Sequence, residues 1–366
     1  MYTFRDNYSY TPPTNVVFLC GVHYSKDSAT DKRTILKRYL KQLNQDTYGV
    51  ILEEHFIFGK SRNEYLAYDE IYLHCLAQIE QLTAMFVDKI IVIHESISTA
   101  AEIGFFASEA LLLPKICMLI PDAMSIEEDK IGSFLRLSLA NYKAPENSVN
   151  RIVFYPDIEV HRISADTSKY LTYFHDNCIG PILGNKIDEF LKKDLDKHCI
   201  RFFHSIFGKK STSIDVVDYY LSKEDDQKMH ISVSADSLKI QLMSMMFIDE
   251  IRRELRKPKP IYEHVNFIEK KYTEILQNTV RKLSGLQTNE YKVSVELKAA
   301  TCNLNQAIGL YLYILQAIGL VGFEQKSQYE EGHRSIRIKT ALDRYKFLKE
   351  LIETPMPSEF GRLNND

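Results

Sequence analysis

The sequence predicts an α/β protein with a flavodoxin-like or Rossmann-like doubly wound parallel sheet, followed by a mostly helical region and a C-terminal winged helix. Three observations predict it. Short continuous apolar runs alternate with helical patterns over residues 15–120, and that alternation gives a parallel sheet with helices on both faces. Beyond about residue 165 the strand signal fades and helical periodicity takes over. Near the C-terminus, an apolar helical face leads into a short strand, a polar hairpin and a returning strand.

Asn15 to Cys20 is an apolar run closed by Gly21, as in a buried strand entering a loop. Ile35, Leu36, Tyr39, Leu40 and Leu43 recur at helical spacing, and Tyr48 to Leu52 reads as a second strand. Residues 62–86 carry a long amphipathic pattern through Tyr65, Leu66, Ile71, Leu73, Leu76, Ile79 and Leu82. Asp88 to His94 is a buried strand, Thr99 to Leu112 a helix, and Lys115 to Ile120 another strand. Pro121-Asp122 breaks the pattern, and Arg151 to Tyr155 adds a last strand.

Helical segments follow near 183–195, 235–256 and 261–283. Arg252 to Pro260, basic and broken by two prolines, reads as a helix end and a stiff linker. Leu304, Ile308, Leu312 and Leu315 share one helical face, Gly319 to Glu324 gives a short strand, and Ser335 to Thr340 returns after the polar stretch Gln325 to Arg334. A closing helix covers Leu342 to Ile352. The expected division is an α/β domain over 1–165, a helical linker or interaction region over 166–285, and a winged-helix-like domain over 286–366.

With 366 residues, 45% hydrophobic and 26% charged, the composition is that of a soluble globular protein of two or more domains. No apolar run approaches the roughly 20 residues of a membrane helix. The polar start Met-Tyr-Thr-Phe-Arg-Asp lacks a signal-peptide core, so a cytoplasmic chain with no membrane partner is expected. Six cysteines stand singly and predict reduced thiols. His175-x-x-Cys178 and His198-Cys199 fit no usual zinc spacing, so no metal is expected. A net charge of −3 argues against coating of nucleic acid along the whole length and leaves room for local basic patches.

The chemistry concentrates in Asp88 to Gly104, where an apolar strand runs through Glu95-Ser-Ile-Ser-Thr into a helix. Ligands of open α/β sheets sit outside the carboxyl ends of the strands, so a carboxylate there is aimed at substrate. Glu102, placed in the first helical turn, would feel the positive end of the helix dipole and favour its ionised form. It could then attack the anomeric carbon of a ribosyl group, giving a covalent glycosyl-enzyme that water resolves with retention. Glu80 on the preceding helix is the candidate acid/base. By spacing alone, Thr99-Ala-Ala-Glu102 reads equally as a capping box, Glu80 as a solvated charge, and Asp88 as structural.

Phe18-Leu-Cys-Gly21, Leu52-Glu-Glu-His-Phe56, the spacing of eight from Glu80 to Asp88, and Glu95-Ser-Ile-Ser-Thr-Ala-Ala-Glu102-Ile-Gly104 resemble the nucleoside 2-deoxyribosyltransferase-like fold. They are similar in particular to its branch of retron effector toxins. The resemblance covers residues 15–125 and implies Glu102 as nucleophile on C1′, with Glu80 where the transferases carry an aspartate. Ser96 and Leu19 replace an aspartate and a tyrosine of the transferases, which implies a glycosidase rather than a base-exchanging enzyme. The implied activity is cleavage of the N-glycosidic bond of a nucleotide, with NAD as the substrate and no cofactor.

Gly21, His23, Glu53, Glu54, Phe56, Glu95, Ser96, Ser98 and Thr99 are the expected substrate-binding residues, with Tyr24 beside them. On the wing, Lys326, Arg334, Arg337 and Lys339, with His333, form a candidate nucleic-acid patch opposed by Glu330-Glu331; an ordinary protein-docking hairpin explains it equally. The resemblance implies partners: the retron reverse transcriptase with its RNA–DNA hybrid, which would hold the toxin inactive, and further copies of the effector. Two alternatives stay open. One is an N-glycosidase or deoxyribosyltransferase acting on purine nucleotides or deoxynucleosides; the other is a nucleotide-sensing DNA-binding regulator.

Overall fold

The computed structural model describes residues 1–21, 31–57, 64–109, 111–122, 151–156, 174–175, 178–192, 197–205, 216–222, 228–285 and 291–354. The chain divides into two compact units. One comprises Pro12–Lys60 and Ile79–Asp196; the other comprises Met1–Thr11, Ser61–Gln78 and Lys197–Asp366. The chain opens with two short strands of the latter unit, β1 (Thr3–Phe4) and β2 (Tyr8–Tyr10).

The α/β unit then begins. Its strands are β3 (Asn15–Cys20), β4 (Thr47–Val50), β5 (Lys89–Ile93), β6 (Ile116–Asp122) and β7 (Ile152–Pro156). Its helices are α1 (Lys32–Leu43), α2 (Leu52–His55), α3 (Leu76–Phe86) and α4 (Ile97–Ala107), and a tiny hairpin, β8 (Phe174–His175) with β9 (Cys178–Ile179), precedes α5 (Pro181–Lys192). All five strands pair in parallel in the order β4-β3-β5-β6-β7. This is the flavodoxin-like order, and it bears out the predicted fold class.

Period-two alternation assigns each strand's side chains to two faces. Val17, Leu19, Ile91, Ile93, Cys117, Leu119, Val153 and Tyr155 pack against Leu36 and Leu40 of α1 and against Leu183, Ile187, Phe190 and Leu191 of α5. On the opposite face Phe18 meets Phe106 of α4 edge-on, with ring centroids 6.3 Å apart. Helices therefore cover both sides. Asp88 fastens the start of β5 to β3: Val16 N–H donates to its carboxylate at 2.7 Å, and Asp88 N–H donates to Val16 C=O at 2.8 Å.

Several expectations need correction. The amphipathic run 62–86 is not one helix: a 3-10 turn at Tyr68–Ile71 ends in Tyr72 with φ +58°, and α3 starts only at Leu76. The strand expected to reach Leu52 ends at Val50 and passes into α2, while β6 continues through Pro121 to Asp122. The helix expected near 183–195 belongs to the α/β core rather than to a separate helical region.

The larger difference lies beyond residue 196. Here β10 (His198–His204), β11 (Val216–Ser222), β12 (Lys228–Val233) and β13 (Lys292–Leu297) join β2 in a second, mixed sheet ordered β13-β12-β11-β10-β2. Their apolar alternation is masked by adjacent aromatic pairs, Phe202-Phe203 and Tyr219-Tyr220, which put a ring on each face. The single segment expected near 235–256 is two helices, α6 (Ala235–Met245) and α7 (Asp249–Leu255), whereas α8 (Ile261–Ser284) and α9 (Leu304–Ala317) match the helical expectations. After α9, β14 (Val321–Glu324) and β15 (Ser335–Ile338) pair antiparallel, a 3-10 segment covers Thr340–Leu351, and β16 (Ile352–Glu353) pairs with β1.

Arg334 corrects the expected nucleic-acid patch. Only 1% exposed, it donates to Tyr65 C=O at 2.9 Å, pairs with Glu70, and covers the Phe323 ring at 5.6 Å. It is an interior anchor, because burying a guanidinium requires that its charge and donors be met inside the protein. Lys326, Arg337 and Lys339 are exposed, and Arg337 pairs with Glu324 at 3.1 Å.

Candidate active site

The order β4-β3-β5 makes the gap between β3 and β5 the switch point of the sheet, where the chain leaves β3 toward one side and returns at β5 on the other. Cys20 and Val92 are register partners there, so Gly21 and the His94-Glu95-Ser96 turn leave the sheet side by side. Arg33 comes from the helix after β3, Glu53 from the helix after β4, and Glu102 from the helix after β5.

The turn into α4 is fixed by a reciprocal cap. Thr99 N–H donates to Ser96 Oγ, and Ser96 N–H to Thr99 Oγ1, both at 3.2 Å, while Thr99 Oγ1 donates to Ser96 C=O at 2.8 Å. His94 Nδ1 lies 3.2 Å from the same hydroxyl. The capping box is therefore Ser96/Thr99, not Thr99/Glu102. Helix α4 starts at Ile97, which puts Glu102 in its second turn, free of any capping duty and beyond the main reach of the dipole.

The electrostatics of Glu102 consequently run opposite to expectation. Burial, then the neighbouring charges of Glu80 and Glu53, push its carboxyl up to about 7, while Arg33 opposes the rise. Burial and the Glu53 charge push Glu80 up to about 7 as well. Both carboxyls therefore resist ionisation near neutral pH, and the charge of Glu80 opposes ionisation of Glu102. Glu102 Oε2 is buried and accepts no hydrogen bond from the described residues. The Cys20 thiol beneath them is raised well above its usual value by burial and by the same three glutamates, so it is no thiolate nucleophile.

Arg33 organises the floor of the site. Its side chain is 2% exposed, Nη1 donates to Glu53 Oε1 at 2.8 Å, and Asp31 lies 3.9 Å away. It runs across Gly21, where an added Cβ would stand 3.0 Å from Arg33 Cδ. A larger residue there would crowd the Arg33 side chain, which would have to give by a few tenths of an ångström. At the rim, Glu95 pairs with Lys32 and accepts from Tyr155 Oη at 2.8 Å, and the Lys32 ammonium stands 4.9 Å over the Tyr155 ring.

Of the residues predicted from sequence, Gly21, Glu53, Glu80 and Glu102 come together. Glu95, Ser96 and Thr99 shape the adjoining turn, and Ser98 is exposed on it. Glu54 is engaged by Lys37. Phe56 is fully buried and packs in the interior instead of facing a ligand. His23 and Tyr24 lie outside the described residues. Arg33 and Lys32 were missed. Among the described residues, no group of three or more His, Cys, Asp or Glu side chains could hold a metal ion. No helix among them is long and apolar enough to cross a membrane.

A family model described as STM3845 retron effector protein matches residues 29–348, which includes every helix that supplies a carboxylate to this site. The chain belongs to the STM3845 retron effector family. As a member of that family it has the role of an effector in retron anti-phage defence. No curated protein matches the chain.

Proposed function

We propose that this retron effector is an N-glycosidase that cleaves the base–ribose bond of a nucleotide, with NAD as substrate. The observation that carries the reading is the paired, half-buried Glu102 and Glu80 at the switch point of a flavodoxin-like sheet, both raised to about 7. A retaining glycosidase needs one carboxylate to attack and one carboxyl to handle protons, and such a pair supplies both. The ionised Glu102 attacks C1′; the C1′–N bond breaks and its electron pair stays with the base. Glu80 is a carboxylate at the second stage, its proton having gone to the leaving base or to solvent; water then attacks C1′ of the glycosyl-enzyme, giving up a proton to the Glu80 carboxylate and displacing the Glu102 carboxylate.

The pyridinium nitrogen of NAD leaves as neutral nicotinamide without needing a proton, so Glu80 acts there only in the second half. A purine leaving group would need protonation first, and the acid form of Glu80 that persists near pH 7 favours purine nucleotides as the second reading. In the same proposal the reverse transcriptase and its RNA–DNA hybrid hold the toxin inactive. The test incubates the purified effector and its Glu102→Gln variant with NAD and with purine nucleotides, scoring nicotinamide and free purine. Nicotinamide release by the parent alone supports the proposal. Purine release without nicotinamide selects the second reading, and equal release by both proteins removes Glu102 from the chemistry.

A further inference from the structure

Glu102 and Glu80 carry the same functional group and are both held up at about 7, so the proposed reaction needs something that tells the nucleophile from the acid. Their surroundings differ. Helix α3 brings Glu80, α2 brings Glu53, α1 brings Arg33, and β3 sets the buried Cys20 thiol beneath them. Among the described residues, Arg33 is the cation whose charge acts on Glu102, and it opposes the rise there. Glu80 is raised by burial and by Glu53, with no cation among its causes. The remaining charged and titratable neighbours of the site are occupied elsewhere: His94 Nδ1 lies 3.2 Å from the Thr99 hydroxyl of the cap, and Lys32 is paired with Glu95 at the rim.

The position of Arg33 is enforced from several sides. Its Nη1 donates to Glu53 Oε1 at 2.8 Å, its Nη2 stands 3.9 Å from Asp31 Oδ2, and its stem lies against Gly21. Asp31 is itself fixed, because it caps α1 by accepting from Thr34 N–H at 2.9 Å. A planar guanidinium held in this way keeps one orientation, and with its side chain only 2% exposed its field is weakly screened. The two states that carry one proton on the pair are therefore unequal. A proton on Glu80 removes the charge that opposes Glu102 and leaves Arg33 supporting the Glu102 carboxylate; a proton on Glu102 gives Glu80 no comparable support.

We infer that Arg33 is the positioning residue that assigns the two roles, making Glu102 the carboxylate and leaving the proton on Glu80, with Glu53 as the anchor that holds the guanidinium. Naming Glu102 a nucleophile rests on the glycosidase reading, whereas the order of ionisation does not. Arg33 forms no bond to substrate in this scheme. Its effect is electrostatic and acts on Glu102 before any sugar arrives.

The experiment has two arms, both with the full-length effector. The first is the pH profile of kcat/KM for base release, whose acidic limb reports ionisation of the free enzyme's essential carboxylate. Arg33→Met should move that limb up by about one pH unit, so that activity at pH 7 falls roughly tenfold and recovers at higher pH. Arg33→Lys keeps the charge and should bring the limb back toward the parent. Glu53→Gln relieves Arg33 of its counter-charge while keeping an acceptor for it, and should move the limb to lower pH. A merely structural role would depress activity at every pH and leave the limb in place.

The second arm needs no turnover. Infrared titration of 13C-glutamate-labelled protein follows Glu102 alone in a Glu80→Gln background and Glu80 alone in a Glu102→Gln background. Adding Arg33→Met should raise the Glu102 titration and scarcely move that of Glu80; Arg33→Gln serves the same purpose if thermal melts show that Arg33→Met does not fold. Equal displacement of the two carboxyls, no displacement of Glu102, or an unmoved limb in Glu53→Gln would overturn the inference. If the parent releases no base from NAD or purine nucleotides while Glu102 alone responds to Arg33, the glycosidase reading fails and the ordering by Arg33 stands.

Discussion

In the proposed mechanism Glu102 and Glu80 divide their work by protonation, and each half of the division can be read separately. If Glu80 activates water only after the base has gone, Glu80→Gln should release about one equivalent of nicotinamide quickly and then stall. Mass spectrometry of the stalled protein should find the glycosyl group on Glu102; full turnover by the variant would assign the water-activating role elsewhere. The raised pKa values also have a cost in stability. A carboxyl near 4.5 in the unfolded chain and about 7 in the folded one binds more protons when folded, so stability falls as pH rises between those values. Glu102→Gln should therefore melt higher than the parent at about pH 8 and no higher at about pH 4, as calorimetry would detect. Arg33 was legible in principle: Lys32 and Arg33 sit in the first turn of α1, where the dipole disfavours cations, and that local conflict marks residues held by something else.

The elements differ in how openly their sequences declare them. Strands β3, β5 and β6 are buried on both faces and read as continuous apolar runs, so their positions were evident within a residue or two. The Glu102 position was harder, because Ser and Thr at 96, 98 and 99 offered more than one cap and only the observed Ser96/Thr99 reciprocity moves Glu102 into the second turn. Strands β10 to β12 were unreadable for a different reason: rings on both faces erase the polar–apolar alternation that a half-buried strand normally carries. Close helix packing gives a sharper test. Gly309 of α9 lies under the 3-10 turn at Tyr68–Ile71, and an added Cβ would stand 2.5 Å from Ile71 Cγ2. Gly309→Ala should destabilise by about 1–3 kcal/mol, the usual cost of overpacking. Adding Ile71→Ala should cost less than the two single changes together in a double-mutant cycle of denaturant melts.

For the molecule as a whole, the α/β unit is not finished where its strands end. Leu183, Ile187, Phe190 and Leu191 of α5 close the core over β3, β5, β6 and β7, contributing roughly 1.5–3 kcal/mol each. That sum is comparable with the entire stability of a typical domain. A fragment of residues 12–165 should consequently be expressed insoluble, whereas 12–196 should be markedly more soluble; equal solubility would mean that α5 is dispensable. The second unit is drawn from three separate stretches of chain, a pattern that local periodicity cannot reveal because it arises from pairings hundreds of residues apart. Its first strand, β1, finds its partner only at Ile352 and Glu353. On a ribosome, where chains emerge N-terminus first, every residue of the α/β unit is available before β1 can pair, so under the proposed function the capacity to harm precedes completion of the second unit. The host's window of exposure thus opens during translation itself.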